Sequence, residues 1–181
     1  MAHSDFREIS AGQLLSITGG ILAGVLLAYL KEDLLVIPGL LILIPGFLEM
    51  RGSISGSLSS RLSSALHMGH IKPRIRGSGS AFLMQNVLAA FSLVLLISLV
   101  LGLVSLLATY IYFDVIYFRI VAIALAGGII SNIVMIPSTV SMGFLLFRKG
   151  YDPDNMMGPY VTTTGDLISM LSLFIAVMVI A

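Results

Sequence analysis

The residue most able to do chemistry is an acid inside an apolar stretch. Asp166 is the one charged residue of the stretch 159–181, seven residues after Pro159 and roughly 10 Å along a helix. A charged side chain inside a membrane span costs at least about 2.5–3.5 kcal/mol, and such residues mark ion or proton paths. Thr162 lies one helical turn before Asp166, so a hydroxyl accompanies the carboxylate. Oxygen atoms of this kind are the ligands that hard cations prefer.

Two further polar residues are weaker candidates for the same site. Glu49 follows the second apolar stretch, and Asn132 lies in the fourth. Each has a structural alternative. Glu49 can pair with Arg51 at the membrane boundary, and Asn132 can form a hydrogen bond across a helix interface. The alternative for Asp166 is a protonated carboxyl group that is hydrogen-bonded to a neighbouring helix.

Two histidines, His67 and His70, lie in a basic stretch with Lys72, Arg74 and Arg76. They have no acidic or sulfur companion close by in the sequence, which argues against a zinc site. The stretch is more typical of a cytoplasmic anchor beside anionic lipid headgroups. The chain has no cysteine, so thiol-ligated metal centres are excluded.

The composition requires these residues to be positioned by helices in a membrane. The 181 residues are 57% hydrophobic and only 10% charged, with a mean hydropathy of +1.05, whereas a soluble domain carries about 25% charged residues. The net charge of +1 argues against a nucleic-acid partner. Neither Gly-x-Ser-x-Gly nor His-Glu-x-x-His occurs, so no enzyme activity is indicated.

The apolar stretches predict an all-α integral membrane protein of the multi-pass class, located in the cell membrane. They do not alternate in polarity, as barrel strands would. We predict one domain over residues 1–181, with no cytosolic regulatory domain. Five spans of about 20 residues are predicted, at 10–30, 34–56, 81–108, 119–147 and 159–180.

The distribution of Lys and Arg predicts the orientation, because cytoplasmic loops are enriched in them. With the N-terminus inside, the cytoplasmic side holds Arg7, Arg61, Lys72, Arg74, Arg76, Arg148 and Lys149, and the other side holds Lys31 and Arg119. The N-terminus is therefore expected in the cytoplasm and the C-terminus outside. Transport paths are commonly built between two related halves, so one five-helix unit is expected to be half of a two-fold homodimer.

The second stretch contains the least lipid-like residues of the chain. Pro38 and Pro45, each followed by glycine, are expected to break or kink a helix, which is tolerated only beside protein or a watery cavity. The small residues from Gly52 to Ser60 permit close helix packing or line a pore, and both readings can hold together.

Two stretches resemble a known family. PGLLILIPGFLEMRGSISGSLSSRLSSALHMGHI is similar to the proline-led second helix of the MgtE-type magnesium transporters, and closest to their solute-carrier (family 41-like) relatives in animals. DPDNMMGPYVTTTGDLISMLSLF resembles the family's last loop and helix. There, a threonine pair precedes an aspartate that contacts the ion, and Thr162, Thr163 and Asp166 match that pattern.

This resemblance implies a divalent cation transporter or channel, with Mg²⁺ as the transported ion rather than a cofactor. The expected ion ligands are Asp166, Thr162 and Thr163, with Glu49 and Asn132 weaker, and the path is expected at the dimer interface. A second hypothesis is a membrane subunit that transports nothing and docks a partner through its polar helix faces.

Overall fold

The computed structural model describes residues 2–35, 37–74 and 79–180, without the side chains of 2–5, 7, 8 and 33–35. These residues form helices and turns, with no strand among them. The five helices are α1 (Ala2–Leu35), α2 (Leu40–His67), α3 (Ser80–Phe113), α4 (Arg119–Arg148) and α5 (Pro153–Ile180). The all-α prediction is confirmed. Arg76, one of the residues used for the orientation, lies outside the described residues.

The second helix begins and ends later than the predicted span 34–56. Gly39 has φ 81°, a left-handed conformation that favours glycine, and α2 starts at the next residue. The Ser105 hydroxyl donates a hydrogen bond to the Gly39 carbonyl at 2.7 Å, which ties this turn to α3. At the other end α2 runs on to His67, because its serines and glycines remain helical where the apolar run has already ended.

In the part of the chain that the structure describes, four helices are long and apolar enough to cross a bilayer, at Ile9–Glu32, Ser80–Phe113, Arg119–Arg148 and Pro153–Ile180. The remaining helix, α2, is apolar in its first half but carries Glu49, Arg51, Arg61 and seven serines further on. The chain is therefore a multi-pass membrane protein, and the count of five spans stays a prediction.

The helices α2, α4 and α5 form the packed centre of the protein. Phe47 on α2, Ile120 and Ile123 on α4, and Leu173 on α5 are completely buried. The first helix packs mainly on α5, and α3 packs on α4 and α2. The outward faces of α1 and α3 carry exposed apolar side chains, as a lipid-facing surface does.

Glycines allow α4 to approach both α3 and α5 closely. A Cβ atom added at Gly102 of α3 would lie 2.8 Å from the Val121 Cα of α4, and one at Gly127 would lie 2.9 Å from a Leu173 methyl of α5. Small residues at helix contacts are typical of membrane proteins, because association there depends on close packing.

Each of these three central helices contains one interior proline: Pro45 in α2, Pro137 in α4 and Pro159 in α5. An interior proline removes one backbone hydrogen bond of the helix. The predicted break is found at Pro38, which precedes α2. Pro45 does not break α2, which continues through it.

Contacts between helix ends show that the chain runs up and down. The Arg148 guanidinium donates to the Pro73 carbonyl at 2.9 Å, and His67 lies 3.3 Å from Asp152. These contacts bring together the end of α2, the end of α4 and the start of α5. The start of α2 and the last part of α3 meet at the opposite end through Gly39 and Ser105. Which end faces the cytoplasm stays a prediction.

Candidate ion site

A cleft of about 540 Å³ lies between α2 and α5. Its polar side chains are Glu49 and Ser53 from α2, and Thr162 and Asp166 from α5. The rest of the wall is small or apolar, formed by Pro45, Leu48, Gly52, Val161 and Gly165. Three of the five predicted ion ligands, Asp166, Thr162 and Glu49, therefore face one cleft although they come from distant parts of the sequence.

The α5 wall follows from helical periodicity. Thr162 and Asp166 are four residues apart and therefore share a face. The Thr162 hydroxyl donates to the Gly158 carbonyl at 3.0 Å, which leaves its oxygen lone pairs available to a ligand. Because α5 begins at Pro153 rather than at the predicted 159, Asp166 lies about 20 Å along a helix that is about 42 Å long, close to the middle of that helix.

The α2 wall supplies a second carboxylate. Glu49 is exposed and accepts a hydrogen bond from the Ser53 hydroxyl at 3.2 Å, one turn further along the same helix. The cleft thus combines two carboxylates and two hydroxyls from two helices. This all-oxygen donor set suits Mg²⁺, Ca²⁺ or Mn²⁺.

Thr163 and Asn132, the other two predicted ligands, do not line the cleft. Thr163 is buried against α1, where its hydroxyl donates to the Leu15 carbonyl at 3.3 Å and its side chain occupies the space above Gly19. Asn132 is buried on α4, and its amide nitrogen has no hydrogen-bond partner among the described residues. Thr163 therefore contributes to the packing of α5 on α1, and Asn132 to the buried part of α4.

Arg51 lies in a different environment from the one predicted for it. The expected pairing with Glu49 is wrong, because none of the three guanidinium nitrogens has a hydrogen-bond partner among the described residues, and Glu49 contacts Ser53 instead. Glu49 and Arg51 are two residues apart on a helix, so their side chains point to different faces. The spacing in the sequence was therefore enough to argue against the pair. Arg51 is 1% exposed and lies against Gly165, where an added Cβ would be 2.6 Å from its Nη2 atom.

A second group of possible metal ligands lies at one end of the bundle. The Nε2 atom of His67 is 3.3 Å from an Asp152 carboxylate oxygen, and Asp154 is close enough for all three to share an ion. His67 therefore has acidic companions in space, although none lies near it in the sequence. The acids come from the start of α5, which the sequence around the histidines could not reveal. All three side chains are exposed to solvent.

Comparison with known families gives one match. A family model described as MgtE, divalent cation transporter, matches residues 44–176. The matched part contains the whole cleft and most of α2 and α5. No curated protein and no solved structure matches the chain.

Proposed function

Because the chain belongs to the MgtE family of divalent cation transporters, we propose that it moves Mg²⁺ across the membrane through a path that includes the α2–α5 cleft. The family is one of transporters and not of enzymes, which agrees with the absence of hydrolase motifs. The observation that carries the proposal is the convergence of Asp166, Thr162 and Glu49 on one cleft within the matched residues.

The chemistry of the cleft favours a partly hydrated ion. Mg²⁺ keeps several of its waters and is bound through one or two carboxylates. A cleft of about 540 Å³ has room for an ion with water molecules, whose share of liquid volume is about 30 Å³ each. Asp166 is the principal ligand in this proposal. Glu49 is a second carboxylate, and the Thr162 hydroxyl contacts the ion directly or through water.

We place the path at the interface of a homodimer. In the single chain the cleft is open, and exposed polar residues continue from it along α2 through Ser53, Ser57 and Ser60. A polar stripe of this kind is costly against lipid. A second copy would cover the stripe and bring its own Asp166 to the opposite side of a two-fold axis, where the ion would separate the two carboxylates.

Ion flux into liposomes that contain the purified protein tests this function. Asp166→Asn keeps the shape of the side chain and removes its charge, so we expect Mg²⁺ flux to fall at least ten-fold. Asp114→Asn is the matched control, because Asp114 is exposed after α3 at φ 54° and asparagine tolerates that conformation. Flux of Mg²⁺, Mn²⁺, Ca²⁺ and Na⁺ is measured separately to establish selectivity.

Two results would contradict the proposal. Wild-type protein that folds and moves no divalent cation by itself would favour a subunit that docks a partner. Asp166→Asn protein that transports Mg²⁺ at the wild-type rate would remove Asp166 from the path and make Glu49 the next residue to test.

A further inference from the structure

Arg51 is a buried cation without a hydrogen-bonded partner. Its side chain is 1% exposed, and all three guanidinium nitrogens lack a hydrogen-bond acceptor among the described residues. Arg51 lies about 24 Å from the His67 end of α2, well inside the bilayer thickness if α2 crosses it. An unpaired buried charge is strongly unfavourable, so the position requires compensation.

Among the described residues, Asp166 is the opposite charge that acts on Arg51. The guanidinium lies on Gly165, the residue before Asp166, where an added Cβ atom would be 2.6 Å from the Nη2 atom. The two charges interact electrostatically without forming a hydrogen bond. Arg51 therefore stands behind the cleft wall, while the carboxylate of Asp166 lines the cleft itself.

We infer that Arg51 is a tethered counter-cation that competes with the transported ion for Asp166. In the empty site Arg51 neutralises the carboxylate. An ion that enters the cleft brings two further positive charges to the same carboxylate, so the guanidinium repels it and weakens its binding. A transport site must bind its ion loosely enough to release it, and Arg51 provides that weakening. The inference rests on the proposed function, in which Asp166 binds the ion.

Binding of Mn²⁺ to the full chain in nanodiscs, with Mg²⁺ as competitor, tests the inference. Mn²⁺ prefers the same oxygen ligands as Mg²⁺ and is directly observable by electron paramagnetic resonance. We expect Arg51→Gln to lower the dissociation constant at least ten-fold. The maximum flux should fall several-fold in the same variant, because release becomes slower.

Two variants serve as controls for charge and for position. Arg51→Lys keeps the positive charge and should bind Mn²⁺ within about three-fold of the wild type, since affinity depends on charge in this inference. Arg61→Gln removes the other arginine of α2, which is exposed and hydrogen-bonded to Asn86 at 3.4 Å, and it should leave affinity unchanged.

If Arg51→Gln does not fold, Arg51→Met removes the charge at similar volume, a replacement that buried ion pairs often tolerate. If neither folds, Gly165→Ala takes their place, because the added methyl displaces the flexible end of Arg51. In that variant a dissociation constant lowered three-fold or more supports the inference, and an unchanged or raised one overturns it.

The outcomes separate this inference from the proposed function. If Arg51→Gln binds Mn²⁺ as tightly as the wild type or more weakly, and Asp166→Asn abolishes binding, the role of Arg51 is overturned and the ion site stands. Mn²⁺ binding that is absent in the wild type, or unchanged in Asp166→Asn, would overturn the ion site itself.

Discussion

Gly56→Leu tests whether the polar face of α2 is covered by a second copy of the chain. An added Cβ at Gly56 meets no atom within 4 Å in the single chain, so the leucine should leave the protomer folded. At an interface between two copies the same side chain would force the helices apart. Because Gly56 lies outside the cleft residues, a loss of association would not reflect a damaged ion site.

The size of the effect follows from symmetry. Overpacking costs about 1–3 kcal/mol at one position, and a two-fold dimer contains the substitution twice. Association should weaken by about 2–6 kcal/mol, which raises the dimer dissociation constant at least about thirty-fold. The fraction of dimer is measured by single-molecule photobleaching or by energy transfer in liposomes, at increasing dilution of protein in lipid.

Gly24→Leu is the matched control. Gly24 lies on the exposed face of α1 and also has no atom within 4 Å of an added Cβ. We expect this variant to dimerise like the wild type, since the face carries apolar side chains typical of lipid contact. The reasoning is refuted if Gly56→Leu dimerises normally, or if Gly24→Leu dissociates to the same extent.

Three further predictions concern stability, topology and the site. Gly102→Ala should lower the free energy of unfolding by about 1–3 kcal/mol, because its methyl would lie 2.8 Å from the Val121 Cα atom. Gly20→Ala is the control, because an added Cβ there meets no atom within 4 Å and should not lower the unfolding temperature. Equal decreases in the unfolding temperature of the two variants would contradict this packing. Single cysteines that replace Lys72 and Asp114, both exposed, should be labelled from opposite sides of the membrane, with position 72 labelled from the cytoplasm. Labelling of both positions from the same side would contradict the predicted orientation. Thr162→Ala should reduce Mg²⁺ flux less than Asp166→Asn, because a retained water can replace the hydroxyl; an equal loss would make Thr162 a direct ligand.

Much of the helical architecture could be predicted because long apolar stretches have few alternatives in a membrane. The predicted spans 81–108 and 119–147 lie within α3 and α4. Helix ends were less predictable, since polar residues such as those after Gly52 continue α2 beyond its apolar part. The start of α2 depends on a turn at Gly39 that is held by α3, a contact distant in sequence.

The site was predictable only as far as one helix at a time. Asp166 and Thr162 share a helical face, whereas Thr163 is rotated by about 100° and meets α1 instead. The position of Arg51 against Gly165 depends on how α2 packs on α5, and no spacing within either helix encodes it. The same applies to His67 and the acids before and within α5.

The interior prolines of α2 and α5 each remove one backbone hydrogen bond from a helix that forms the cleft. Pro45 lies about 8 Å from the start of α2, and Pro159 lies about 9 Å from the start of α5. Because the two helices run in opposite directions, one missing hydrogen bond is near each end of the bundle, with Asp166 between them. Bending of α2 and of α5 therefore costs least at two points that lie on opposite sides of Asp166.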